Sequence, residues 1–246
     1  GGLLLAKIYE EAGLPAGVLN VVVGSSDMIG DAFSRHPVPR VLTFTGSTPV
    51  GRHIARVAAE SSLLKRVGLE LGGNAPLVVL DDADLEKAVG AALIGRFMHQ
   101  GQICMSTNRI IVDASLYDRF VEAYTEAAKA VKLGDPNEPD TLVGPLCNDS
   151  QVRSVVRSIA LARESGFREC LSGTIEGRLV PPHVFADVDN GSEFARNEIF
   201  GPVAPIIRAA NEAEALVFAN DTEFGLSSAV FTRDEARGLA FAQRME

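Results

Sequence analysis

Five places in this chain hold residues whose types and spacing could do chemistry: a cysteine, a glutamate ahead of it, two glycine turns, and one acidic-aromatic segment. Cys104 stands in Phe97-Met98-His99-Gln100-Gly101-Gln102-Ile103-Cys104-Met105-Ser106-Thr107-Asn108-Arg109, between a helical apolar pattern and the apolar run 109–112. Most free cysteines are small buried hydrophobes. One held near a helix end and partly open is instead a nucleophile, because such surroundings favour the thiolate. Glu70 lies 34 residues earlier, at the end of an apolar strand and just before Gly72-Gly73. A carboxylate there is either a salt-bridge partner or exposed strand end, or a base, since a buried charge needs a reason. Beside a thiol it could activate the thiol itself or the water that hydrolyses a covalent intermediate. The two glycines would let a substrate or cofactor approach the backbone.

Gly46 and Ser47 sit in Thr45-Gly46-Ser47-Thr48-Pro49, after the strand 40–44 and before a helix. Free N–H groups at a helix start bind anions, although the same pattern serves as an ordinary βα turn. Gly24-Ser25-Ser26 also follows an apolar run, but it is not a complete GxGxxG. Glu198 and Phe200, in Asn197-Glu198-Ile199-Phe200-Gly201-Pro202-Val203, read on their own as a solvated turn residue and a rim residue of the core. Cys147 and Cys170 lie outside any motif, and the four histidines show no ligand spacing. With no CxxC and no His/Cys cluster, no metal is expected.

These residues need a scaffold, and the composition provides for one. Of 246 residues, 46% are hydrophobic, enough for a sizeable core and too many for a disordered chain. Against 32 acidic residues there are 23 basic ones, and the formal charge of −9 argues against nucleic acid and anionic membrane as partners. Three cysteines at irregular spacing are no disulfide framework and fit a reducing, cytoplasmic compartment. No apolar run approaches the roughly 20 residues that span a bilayer. Gly1-Gly2-Leu3-Leu4-Leu5 has no charged segment before it, and reads as the inside of a helix rather than as a signal peptide.

The elements alternate. In residues 1–71, Leu4, Leu5, Ile8 and Tyr9 share a helical face closed by Gly13 and Pro15. Strands are expected at 18–23, 40–44 and 66–71, with helices through Met28, Ile29 and Phe33 and through Val50, Ile54, Val57 and Ala58. Pro49 suits the first turn of the latter helix, and Ser47 or Thr48 its cap. Such alternation means a parallel sheet. Composition shifts at Gly72-Gly73, which divides the chain into domains 1–71 and 72–246. The second begins with a strand at 76–80, then Asp81-Asp82-Ala83-Asp84 as acidic capping for a helix with Leu85, Val89, Ala92, Leu93 and Phe97 on one face. Strand 109–112, helix 116–131 and a Gly/Pro/Asp/Asn-rich loop at 132–148 follow. Beyond it come a helix through Val152, Val155, Val156 and Ile159, short strands near Cys170, 183–188, 203–207 and 227–231, and helices at 212–220 and 235–244.

Taken together, Glu70 in Leu69-Glu70-Leu71-Gly72-Gly73-Asn74, Cys104 in its loop, and the segment 197–203 resemble the NAD(P)-dependent aldehyde dehydrogenase family. The likeness runs along nearly the whole sequence but covers only the middle of that family's usual chain. It implies an α/β fold: a partial Rossmann-type parallel sheet for dinucleotide binding in 1–71, followed by an α/β catalytic domain in 72–246. Cys104 would be the nucleophile and Glu70 the general base, at a separation similar to the family's. Gly46 and Ser47 would contact the pyrophosphate of NAD, with Gly24 and Leu71 also on the cofactor side. NADP stays open, because the segment that reads the adenosine ribose is outside the residues matched. Glu198 would hydrogen-bond the nicotinamide ribose and Phe200 would pack beside the ring. Where the family often has a second glycine, this chain has Ser26.

The implied reaction is oxidation of an aldehyde to its acid through a thiohemiacetal and a thioester on Cys104. Residues 99–112 look most like members acting on aromatic aldehydes, such as benzaldehyde, vanillin or salicylaldehyde dehydrogenases. In the family, an oxyanion-holding asparagine and a ribose-binding lysine precede the matched region, and substrate-pocket residues and an oligomer-forming strand follow it. Without them, lowered activity is expected, as is a homo-oligomer formed through an exposed sheet edge and apolar face. Two other functions remain open on the sequence: a cofactor-independent thiol esterase built on Cys104 and Glu70, and a catalytically silent fragment serving as a binding or assembly module.

Overall fold

The computed structural model describes residues 1–246, which divide into two compact units, Gly1–Leu71 and Gly72–Glu246. In the first, α1 (Gly2–Glu11) and α2 (Ser26–Arg35) precede β1 (Val41–Thr45), α3 (Thr48–Ala59) and β2 (Arg66–Glu70). β1 and β2 pair in parallel, with Val41 opposite Arg66 and Thr45 opposite Glu70. Leu42 on β1 packs with Ile54 and Ala58 of α3, flanked by Phe44 and Val67. Close seating of α3 depends on Gly51: a Cβ there would lie 2.6 Å from Leu71 Cδ2, where something must shift.

Two expectations need correction in this unit, the strand at 18–23 and the Ser47 cap. Residues 18–23 form no strand, and Val18, Val22 and Val23 are exposed. A strand exists through its ladder partners, and the only ladder of the unit joins β1 to β2. The apolar stripe of α1 is present as a helix face, yet Leu3, Leu4, Leu5, Ile8 and Tyr9 are all exposed, so helical periodicity here did not mean burial. Ser47 occupies the N-cap position of α3 with extended backbone, but neither its hydroxyl nor another side chain caps the helix.

The second unit is built on a six-stranded sheet of order β5-β6-β7-β4-β3-β8. Its strands are β3 (Ala75–Val79), β4 (Thr107–Asp113), β5 (Arg168–Leu171), β6 (His183–Ala186), β7 (Val203–Ala209) and β8 (Ala229–Phe231). The helices are α4 (Leu85–Phe97), α5 (Tyr117–Lys129), α6 (Asp149–Glu164), α7 (Glu193–Arg196), α8 (Glu212–Asn220) and α9 (Glu235–Ala242). β3 and β4 are buried along their whole length, as expected of parallel strands covered on both faces. The strand period of two then sorts their side chains. Leu77, Val79, Ile110 and Val112 join the α4 and α5 residues Ala92, Phe97, Phe120 and Tyr124 in one core. Val78, Leu80 and Ile111 join Val155 and Ile159 of α6, Leu216 of α8 and Phe241 of α9 in the other. Phe97 and Phe120 both stack on Tyr124, at 6.0 and 5.7 Å between centroids. Each fully buried phenylalanine contributes about 1.5–3 kcal/mol of transfer free energy.

All pairings are parallel except β5 with β6. No crossover helix separates those two strands, and a parallel return would need one. The acidic run before α4 divides its work. Asp84 caps the helix by accepting the Lys87 N–H at 3.2 Å. Asp82 instead accepts from Thr232 Oγ1 at 2.8 Å and Arg237 Nη1 at 3.0 Å, tying β8 and α9 to the end of β3.

Because β7, β4, β3 and β8 are neighbours and parallel, the loops that enter them open on one edge of the sheet. Those loops carry residues 197–202, 98–106, 72–74 and 222–228.

Candidate active site

Ligand sites of open α/β sheets usually lie beyond the carboxyl ends of the strands. In the second unit the candidate residues lie at the opposite edge, in the entering loops. Cys104 is half-buried in the turn before β4. Its carbonyl oxygen rests against Gly73, so closely that no Cβ fits there. The Gly73 N–H donates to Glu198 Oε1 at 3.1 Å. A Cβ on Gly72 would lie 2.7 Å from Glu198 Oε2 and 3.3 Å from Phe224 Cε1. The room left by the two glycines is thus taken by the Glu198 carboxylate and the Cys104 backbone; the expectation that it admits a substrate or cofactor directly is corrected by this packing. Burial pushes the Glu198 carboxyl above the ordinary glutamate range, against the Gly73 N–H and the Arg96 charge, which favour the anion. Phe200 is half-buried, and its carbonyl accepts from Gln151 Nε2 at 2.8 Å. A shallow cleft of about 400 Å³ runs from Phe200 to Ile103, next to Cys104, with His99, Gln102 and Cys147 on its walls.

Buried polar side chains fasten these loops to one another. Arg96, at the end of α4, has no exposed surface, and its guanidinium donates to Thr107 O (2.8 Å), Asn108 Oδ1 (3.1 Å), Gly101 O (3.2 Å), Ile199 O (2.7 Å) and Gly201 O (2.6 Å). Asn108 adds two bonds, accepting from Ile199 N at 2.8 Å and donating to Asn197 O at 2.9 Å. One level deeper, Arg109 Nε donates to Asn74 Oδ1 at 2.8 Å, while Asn74 Nδ2 donates to Ala195 O and Arg196 O, each at 2.9 Å. Arg109 also reaches Asn190 Oδ1 and Ala219 O, both at 2.9 Å. Burial brings both guanidinium pKa values down to about 10, which leaves them charged at neutral pH. Leaving a buried acceptor of such a network without its donor costs about 1–3 kcal/mol.

None of these four residues was singled out from the sequence, although it held a signal. Arg96 follows Ala92 by four residues and Val89 by seven, which places a cation on the apolar face of α4. Asn108 and Arg109 lie in β4 directly before its apolar run Ile110-Ile111-Val112.

In the first unit, the candidates lie at the carboxyl ends of the parallel pair. The Gly46 N–H, just past β1, donates to the Glu70 carbonyl at the end of β2 at 3.0 Å. The Glu70 side chain is exposed, so the argument from a buried, unpaired carboxylate does not hold for it. A Cβ on Gly46 would lie 2.5 Å from Phe44 Cζ, and both Gly46 and Ser47 are exposed. Gly24 is exposed ahead of Ser25, the N-cap of α2, which like Ser47 forms no side-chain cap. Leu71 is half-buried against Gly51 of α3. Gly46 and Glu70 are thus neighbours in one unit, and Cys104 and Glu198 in the other.

Comparison with known proteins agrees with the motifs. The family model described as "Aldehyde dehydrogenase family" matches residues 1–246. Vanillin dehydrogenase of Corynebacterium glutamicum is 51% identical over 246 residues, covering 100% of this chain and 51% of that protein. Benzaldehyde dehydrogenase YfmT of Bacillus subtilis is 48% identical over the same length, covering 100% of this chain and 50% of its own. The crystal structure of an NAD-dependent benzaldehyde dehydrogenase from Corynebacterium glutamicum superposes with a TM-score of 0.94 at 50% identity, over 99% of this chain and 52% of that one. The chain therefore spans about half the length of the relatives it matches. No helix is long and apolar enough to cross a membrane. With an α/β architecture and a family match along its entire length, the chain belongs to the aldehyde dehydrogenase family.

Proposed function

We propose that this chain contributes the nucleophile and part of the cofactor site to NAD-dependent oxidation of an aromatic aldehyde to its carboxylic acid. The observation that carries this reading is Cys104: half-exposed, in a turn packed against Gly73, with Glu198 bound to that same glycine. The Cys104 thiolate adds to the aldehyde carbon, forming a C–S bond and an oxyanion. The backbone N–H of Cys104 is a suitable donor for that oxyanion. The cofactor's chemistry, when it is bound, is that of a hydride acceptor. Loss of hydride from the thiohemiacetal leaves a thioester on Cys104. Glu70 takes a proton from water, the hydroxide adds to the thioester, and the acid departs with the thiol restored.

The turns of the first unit suit a dinucleotide. The starts of α2 and α3 carry N–H groups that no side chain caps, and each follows an exposed glycine turn. Uncapped helix starts favour phosphate. Gly24, Gly46 and Ser47 would hold it there, with Leu71 beside them and Glu198 and Phe200 on the nicotinamide side. NADP is a second option for the same turns. The aromatic substrate class is supported by relatives that are a vanillin and a benzaldehyde dehydrogenase. The exposed apolar side chains of α1 support assembly into a homo-oligomer.

The test is to give the chain NAD with benzaldehyde or vanillin and follow NADH absorbance. Growth of that band with matching acid is expected. If it stays flat while an activated ester is cleaved without NAD, the thiol esterase reading replaces this one. If both stay flat, the chain is catalytically silent alone.

A further inference from the structure

The turn that delivers Cys104 is strained. His99 (φ 50°, ψ 37°) and Gln100 (φ 60°, ψ 23°) are both left-handed, and Gly101 follows at φ 71°. Non-glycine residues visit this region singly, because Cβ crowds the next carbonyl oxygen. Two in succession persist only where surrounding structure holds them. Gly101 itself can be nothing larger, since a Cβ there would lie 2.5 Å from Arg96 Nη2 and also collide with the Gly201 carbonyl.

The Gln102 N–H closes the turn on the His99 carbonyl at 2.9 Å and Gln102 Oε1 accepts from Cys147 N at 3.0 Å, while one buried side chain ties the turn to the loops on either side of it. Arg96 Nη2 donates to Gly101 O at its end and to Ile199 O and Gly201 O on the loop bearing Glu198 and Phe200. Nη1 donates to Thr107 O and Asn108 Oδ1 just past Cys104. The cysteine loop is therefore bracketed on both sides by one guanidinium that has no carboxylate in contact. A lysine can reach some of these acceptors but lacks the planar fork that reaches both sets at once.

We propose that Arg96 is the positioning residue of the site: it holds the left-handed turn 99–101 under strain and so fixes where Cys104 stands relative to Glu198 and Phe200. This rests on Cys104 being the nucleophile of the proposed reaction. Arg96 touches neither substrate nor cofactor in this scheme and acts through the two loops.

The experiment is site-resolved alkylation of the 1–246 chain with iodoacetamide, read by peptide mass spectrometry at Cys104, Cys147 and Cys170. It compares wild type with Arg96→Met, Arg96→Lys and the double variant His99→Gly/Gln100→Gly. Cys170, half-buried on β5 and outside the cleft, serves as the internal control, because general loosening of the fold speeds it together with Cys104; Cys147, exposed and bonded to Gln102, reports the turn itself. Arg96→Met is expected to change the Cys104 rate by about fivefold or more relative to Cys170, and Arg96→Lys to fall between it and wild type. The glycine variant keeps every Arg96 bond and relieves the left-handed strain, at the cost of the Gln100 side-chain contacts and of added unfolded-state entropy, so it is the variant expected to fold where Arg96→Met does not. It should melt cooperatively and still shift the Cys104 rate relative to Cys170. A folded Arg96→Met with an unchanged Cys104 ratio overturns the proposal. So does an unchanged ratio in the glycine variant when Arg96→Met cannot be obtained folded. If wild type makes NADH, each variant that shifts the ratio should lower kcat more than it alters the KM for NAD. If wild type oxidises no aldehyde, the functional reading fails, and the alkylation ratios still decide whether Arg96 positions Cys104.

Discussion

The Gly73 N–H donates to Glu198 Oε1 at 3.1 Å, joining the loops that enter β3 and β7. The bond is made to a carboxylate that burial has raised above its ordinary pKa of 4.5. A carboxyl with a higher pKa folded than unfolded takes up protons on folding. Its contribution is fully present below the unfolded value and is lost as pH rises through the folded one. Glu198→Gln keeps an acceptor for Gly73 and removes the buried charge. We expect it to melt above wild type at pH 7, by roughly 1–4 °C, with the two curves converging as pH falls toward 4. A wild type that melts as high as the mutant at pH 7 would remove the desolvation argument.

Two glycines should respond in opposite directions to alanine. Gly73 has the Cys104 carbonyl where a Cβ would go. Gly73→Ala is expected to cost about 1–3 kcal/mol in chemical denaturation, as overpacking does. Gly90 lies exposed in the interior of α4 with nothing near its Cβ position. Gly90→Ala should add about 0.5–1 kcal/mol through helix propensity. Equal and small effects at both would mean that the approach of Cys104 to Gly73 is loose in solution.

The nucleophile prediction turns on the three free thiols. Burial pushes the Cys170 thiol up and so away from reactivity, and Cys147 is exposed on a loop. Cys104→Ala should abolish both aldehyde oxidation and ester cleavage, while Cys147→Ala and Cys170→Ala leave both nearly intact. Loss of activity on alanine substitution at Cys170 alone would sink the assignment of Cys104.

Substitution at Glu70 would separate the two halves of the proposed reaction. Glu70→Gln keeps size and hydrogen bonding but takes no proton. If the residue activates the hydrolytic water, rapid mixing should give an NADH burst near one equivalent per site, then turnover slowed about 10²–10⁴-fold, with a thioester on the Cys104 peptide. A slowed burst without an acyl adduct would assign Glu70 to thiol activation instead. No change in either phase would leave it as the exposed strand end that it is in the first unit.

At Gly46, valine would meet the Phe44 ring and cover the start of α3. Gly46→Val is expected to weaken NAD binding at least about tenfold by calorimetry, by taking the place of a phosphate at free N–H groups. The variant's melting temperature, measured alongside, separates this from damage to β1. Equal affinity in both proteins would move the cofactor away from this turn.

The amino-acid sequence by itself determined the α/β alternation, the family and most element positions. Those readings rest on local periodicity and on short motifs, both of which survive in one dimension. The apolar run Leu77, Val78, Val79, Leu80 already meant a strand, and the motifs around Glu70, Cys104 and Glu198 already meant aldehyde dehydrogenase. Tertiary structure alone decided what depends on partners far along the chain. Residues 18–23 look like a strand but have no ladder to join. The Gly72-Gly73 pair looks like space for a ligand but is filled by Glu198, 125 residues on from Gly73, and by the Cys104 carbonyl. Arg96 looks like a misplaced charge on an apolar helix face, and its reason appears only when the carbonyls of Ile199 and Gly201, more than 100 residues away, come within reach of its guanidinium. A buried cation needs acceptors, and only the folded chain says which residues supply them.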